Sequence, residues 1–285
     1  MRSVAMLALA ACAPKQRESF DVAETSVAPV PASPERAEAD ALWEERADRD
    51  KLAEALAKYE IAMSADARDR HVGERLTRGY YFLGDAYETE DDARIAAWDQ
   101  SIAWGKRCLA INPQISALLA KGDETDVTAV RAATIEDVPC LLWTASAIGR
   151  WSRLKGPAAT LTHVATVKAY ITRVDDLDPD FYFRAADRYW GAYYAAIPSF
   201  AGKDLEKSKL HFDSALEHAP SFVGTKVLLA EYWAVETKDR ATFETSLHEV
   251  LAADENALPE VRPETLAEKR KATALLARVD ELFPK

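Results

Sequence analysis

Two well-separated stretches of the chain carry matching residue types at the same offsets, and this repetition constrains the fold more than any other feature. The first places Gly84, Tyr87, Ser101, Gly105, Cys108 and Pro113 where the second places Gly191, Tyr194, Ser208, Phe212, Ala215 and Pro220. From Gly to Pro is 29 residues in both. A small residue lets two helices approach closely, and a Pro stops the second helix and starts the turn to whatever follows. Each stretch is therefore expected to be a helical hairpin. Recurring hairpins stack, because none can bury its apolar face alone.

The rest of the chain from Ala41 onward agrees. Leu52, Ala55, Leu56, Tyr59, Ala62 and Met63 share one helical face, as do Ala186, Trp190, Tyr193 and Ile197. No segment keeps a strand-like alternation with turn signals at both ends, and 10 glycines in 285 residues leave little for the turns of a sandwich or barrel. The expected fold is all-α, a tetratricopeptide-like solenoid of four to five helix pairs over residues 41–285. A third pair is expected around Ile148, Gly149, Ile171, Val174 and Pro179. Half-matching pairs lie near Ala55-Tyr59-Ala62 and Phe243-Leu247-Val250, and a helix from Glu264 to Leu282 is expected to cap the open end. The Gly-to-Pro spacing exceeds the standard unit by about five residues, assigned to an enlarged turn in both hairpins.

The N-terminus reads differently. An apolar stretch from Val4 to Ala11 leads into Leu9-Ala10-Ala11-Cys12, which matches the lipobox of bacterial lipoproteins. Residues 1–11 are then a signal peptide and Cys12 the lipidation site, mooring the chain to a membrane. Residues 12–40, with Pro14, Pro29, Pro31 and Pro34 and no sustained period, are expected to form a disordered tether. The expected location is periplasm-facing and membrane-anchored, with the outer membrane slightly favoured by Ala13 after the Cys. The compartment would permit a disulfide. Cys108, at an Ala-type repeat position, nevertheless reads as a small core residue, and Cys108 and Cys140 as free thiols.

Little in the sequence points to catalysis or metal binding. His71, His163, His211, His218 and His248 show no ligand spacing. Asp175, Asp176, Asp178 and Asp180 lack the Gly and closing Glu of a calcium loop. There is no Gly-rich phosphate loop and no nucleophile elbow. A net charge of −11 argues against a nucleic-acid partner. No catalytic residue, metal or cofactor is assigned, and the chain is read as a binding module.

The stretch from Gly191 through Gly202, Ser208, His211 and Phe212 to Pro220 resembles the T component of TRAP transporters, the TatT-like family. Ser221 to Val235 and Glu249 to Asp254 continue the resemblance. It implies a periplasmic, lipid-anchored tetratricopeptide-like protein that associates with the substrate-binding P component of a tripartite uptake system. It also implies a homotrimer with a pore-like hydrophobic cavity, and the concave aromatic surface is expected to bind the P component, a small hydrophobic ligand, or both. The alternative is a generic tetratricopeptide scaffold lipoprotein that serves envelope assembly through protein contacts.

The candidate binding residues are aromatic. Trp190, Tyr193 and Tyr194 crowd one helix, Phe200 sits in the turn after it, and Tyr232 and Trp233 lie on the helix expected to stack alongside. Tyr and Trp join a large apolar area to a polar tip, which suits ligand or partner contact. The competing reading is inter-helix packing, favoured for Trp190 and Tyr194. Tyr193 and Phe200 stand between the two readings.

Overall fold

The computed structural model describes residues 33–120 and 126–284. Its first helix, α1 (Pro34–Glu44), begins where the Ser33 hydroxyl accepts from the Arg36 amide and Pro34 takes the first turn. A missing N–H costs nothing there. The tether expected over 12–40 therefore stops short: Pro34 to Asp40 are helical, and Ala39 and Trp43 are buried. Pro34, read as a sign of extended chain, is the first residue of a capped helix. The signal segment, Cys12 and residues 12–32 lie outside the described residues.

Helix α1 pairs with α2 (Arg49–Ala65), and α3 (Arg70–Ala86) with α4 (Asp91–Leu109). Two short helices, α5 (Pro113–Ala120) and α6 (Asp126–Ala129), precede the pair α7 (Val138–Lys155) and α8 (Pro157–Leu177). Next come α9 (Phe181–Ala196) and α10 (Leu205–His218). Helix α11 (Gly224–Leu228) continues through a π-helical turn, Leu229–Ala234, into α12 (Val235–Thr237) and packs on α13 (Arg240–Ala252). The chain ends in α14 (Arg262–Ala277) and α15 (Val279–Leu282). The described residues contain no strand, and neighbouring pairs stack in order. The all-α solenoid is borne out, with five helix pairs. Asp48, Asp69, Asp204 and Asp239 cap α2, α3, α10 and α13, each accepting from a backbone amide of the first turn.

The two signature hairpins use their small residues as the repeat requires. A Cβ on Gly84 would lie 2.7 Å from the Trp98 indole nitrogen, and one on Gly191 would lie 2.9 Å from three atoms of the Phe212 ring. Both glycines exist to admit an aromatic ring from the second helix. The enlarged turn, however, is not shared. Between α3 and α4 only residues 87–90 are non-helical, and α4 is 19 residues long. Between α9 and α10 the turn is 197–204, and α10 is 14 residues long. The first hairpin spends its extra residues on helix and the second on turn, so equal spacing conceals unequal structure.

Cys108 and Cys140 form a disulfide between α4 and α7, correcting the expectation of free thiols. Both residues are fully buried, as the small-core reading required. Helix α14 does more than cap an end. It returns to the N-terminal hairpins: Ala267 joins the core of α1 to α3, Glu264 Oε2 lies 3.1 Å from the Arg46 guanidinium, and the Arg270 guanidinium donates to the Ala86 carbonyl. The solenoid thereby closes on itself.

Candidate functional site

That closure forms one wall of a partly open cavity of about 270 Å³. Helix α3 contributes Arg78, Tyr81, Phe82 and Asp85, and α7 contributes Leu142, Trp143, Ser146, Gly149, Arg150 and Arg153. Both sets follow helical spacing, so each helix turns one stripe inward. Tyr189, Ala192 and Tyr193 of α9, Val164 and Val167 of α8, and Tyr232 of the π-helical turn add a largely apolar wall. Glu264 and Glu268 of α14 complete the lining. Helices α4 and α10 contribute nothing to it; they pack outside.

One side of the cavity is charged. Asp85 accepts from Lys271 at 2.5 Å and lies 3.2 Å from Arg150. Burial alone would raise its carboxyl, but those two cations outweigh burial and hold it at about 2. Glu264 bridges Arg46 and Arg78, at 3.1 and 2.7 Å, and is held below the ordinary range against the same desolvation. Burial pushes the neighbouring Glu268 up, even with Lys271 2.9 Å away. Arg150 also reaches Glu231 and the Tyr232 hydroxyl. Charges removed from water are tolerated only in such networks.

The wall nearest α9 is conformationally unusual. Tyr182, Phe183 and Arg184 lie at φ of 45°, 58° and 61°, a left-handed turn of three non-glycine residues. Each costs on the order of 1–2 kcal/mol. The turn is held by Arg188, whose guanidinium donates to the Tyr182 carbonyl at 2.8 Å and also to that of Phe183. The rings add to this: Tyr182 packs edge-on to Trp143 at 4.7 Å, and Phe183 stacks on Phe222 at 4.9 Å. On the same helix, outside the cavity lining, Asp187 accepts from Ser214 at 2.8 Å and Arg184 at 2.6 Å, with His211 Nδ1 2.9 Å away. Burial opposes its ionisation, but these partners hold Asp187 at about 2.

A family model described as TRAP transporter T-component matches residues 97–283. The chain belongs to that family. No curated protein matches the chain. The match runs from α4 to the C-terminus, so α3, which supplies Arg78 and Asp85 to the cavity, lies before it. The T component is an accessory part of a transport system.

Of the six aromatic candidates, the structure brings Tyr193 and Tyr232 to the cavity. Trp190 is buried in the central core, 8% exposed. Tyr194 turns outward and stacks on His211 at 5.8 Å, and Trp233 donates its indole N–H to the Leu205 carbonyl at the start of α10. Phe200 is 82% exposed on the enlarged turn and contributes nothing to the chamber. The sequence reading missed every charged residue of the lining. Arg78 and Asp85, seven apart on α3, belong to no motif. Their signal was the company they keep, since Tyr81 and Phe82 stand between them on the same stripe. Among the described residues no group of His, Cys, Asp and Glu could hold a metal ion, and no helix is long and apolar enough to cross a membrane.

Proposed function

We propose that the chain is a non-catalytic accessory T component of a TRAP-type uptake system. It would be moored by a lipid on Cys12 facing the periplasm, where it receives a small hydrophobic ligand and docks the substrate-binding P component. The observation that carries this reading is the closed solenoid. An apolar chamber with Tyr193 and Tyr232 in its wall, bounded by α14 on the far side, suits a ligand that must be kept from water. Nothing in the chamber pairs a nucleophile with a base, so binding rather than bond-making fits its residues. A homotrimer is carried over from the family resemblance.

The test is native mass spectrometry of the full chain purified from its own envelope fraction, alone and with a TRAP P component from the same organism. The expected result is a trimer mass, a co-purified small ligand and a complex with that P component. A monomer that carries no ligand and ignores the P component overturns the proposal and favours the scaffold lipoprotein instead.

A further inference from the structure

Four arginines line the cavity, Arg78 of α3, Arg150 and Arg153 of α7 and Arg188 of α9, and they are not equivalent. Arg78 is tied to Glu264 at 2.7 Å and Arg150 to Asp85 at 3.2 Å. Arg188 is the most deeply buried, 6% exposed, and among the described residues no carboxylate lies within ion-pair distance of it. Its neighbours are two backbone carbonyls and two ring faces, those of Phe222 at 4.3 Å and Tyr182 at 5.7 Å. The nearest carboxylates are engaged elsewhere, Asp187 with Arg184 and His211, and Glu268 with Lys271. The surrounding network does not make up the deficit. Its cations are Arg46, Arg78, Arg150, Arg153 and Lys271, against the carboxylates Asp85, Glu231, Glu264 and Glu268, so it has no negative charge to spare for Arg188. Trp143, which packs on Tyr182 in the same wall, leaves its buried indole N–H without an acceptor. Arg188 thus lacks a counter-charge and Trp143 an acceptor.

An isolated buried cation is among the most costly arrangements a protein can keep, and a guanidinium cannot escape by giving up its proton. Desolvation does drag Arg188 down, to about 10, which leaves it charged at neutral pH. Resting on the reading that the chamber binds an apolar solute, we infer that the solute is an amphiphilic monoanion, its head group drawn to Arg188 and its tail against Val164, Val167 and Tyr193. The planar fork of Arg suits a carboxylate. At the roughly 30 Å³ that a water occupies in the liquid, the cavity volume corresponds to a ligand of about ten non-hydrogen atoms. Octanoate has that size and serves as the probe, with octan-1-ol and octylamine as uncharged and cationic counterparts of the same tail.

The experiment is titration calorimetry of the full chain with each probe at neutral pH, repeated on Arg188→Gln. Octanoate is expected to bind at least about tenfold more tightly than octan-1-ol, the difference a charge-assisted hydrogen bond supplies, and octylamine to bind weakest. Arg188→Gln is expected to abolish that preference, so that octanoate binds no more tightly than octan-1-ol to the same variant. Should the variant fail to fold, the ordering of the three probes on the unaltered chain still decides. Octan-1-ol or octylamine binding as tightly as octanoate overturns the anionic assignment and leaves the apolar chamber standing. An unchanged octanoate affinity in a folded Arg188→Gln protein overturns Arg188 as the counter-charge. If no probe binds the folded chain, the chamber itself is not a ligand site and both readings fall.

Discussion

The α3/α4 and α9/α10 hairpins share a signature and a spacing, yet each uses its extra residues differently. In the first, α4 is long, the turn is short, and the disulfide from Cys108 stitches the hairpin to α7. In the second, α10 is short, and the turn carries Phe200 into solvent. What they keep in common is the glycine–aromatic contact and an inward-facing first helix. Contacts that set the distance between helices are held to one geometry, whereas helix ends and turns are free to vary so long as the next pair starts in register.

The comparison breaks if the two aromatic plugs are not equivalent. Trp98→Ala and Phe212→Ala each remove a fully buried ring, and each is expected to cost about 3–5 kcal/mol in urea unfolding. A large gap between them would show that only one hairpin depends on the contact. The covalent difference comes next. Replacing Cys108 and Cys140 together with Ala opens a cross-link spanning 32 residues and is expected to cost about 3–4 kcal/mol by loop entropy. Adding reductant to the unaltered chain in the same melt should reproduce most of that loss. Gly84→Ala and Gly191→Ala drive a methyl into those rings and should each cost about 1–3 kcal/mol, read as a lowered urea midpoint.

Acid sharpens the comparison further. Asp85 and Asp187, one on the first helix of each hairpin, are both held at about 2 in the folded chain against an ordinary 3.8. Lowered carboxyls contribute stability above the ordinary value and lose it as pH falls towards the folded one. Stability should therefore fall between pH 4 and 2, and Asp187→Asn should remove the share that belongs to the second hairpin. A stability profile that stays flat over that interval contradicts the assignment. The smallest effect belongs to the enlarged turn: Phe200→Ser should shift stability by no more than about 0.5 kcal/mol, since the ring touches no core.

The hairpins were legible because a glycine facing a ring leaves a residue-level trace at fixed offsets. Whether extra residues lengthen a helix or a turn was not, since Gly-to-Pro spacing adds the two together. Cys108 illustrates the same boundary: its Ala-type position told of burial, while its partner sits on another helix that no local pattern connects to it. For the chamber, Tyr193 and Tyr232 could be found as aromatics on an inner face, but Arg188 could not. A lone Arg among Tyr and Trp reads as the wet edge of a helix until three-dimensional packing shows that no edge is there. Glu264 is the extreme case, meeting Arg46 across 218 residues of chain.

That last meeting has a price in modularity. Open repeat arrays grow and shrink by whole units, because each unit answers only to its neighbours and stability accumulates like beads on a wire. Here the last helix is latched to the first hairpins, so inserting or deleting one pair would pull Glu264 and Lys271 away from Arg46 and Asp85. Copy number is frozen, and melting should proceed as one cooperative event rather than unravelling from an end.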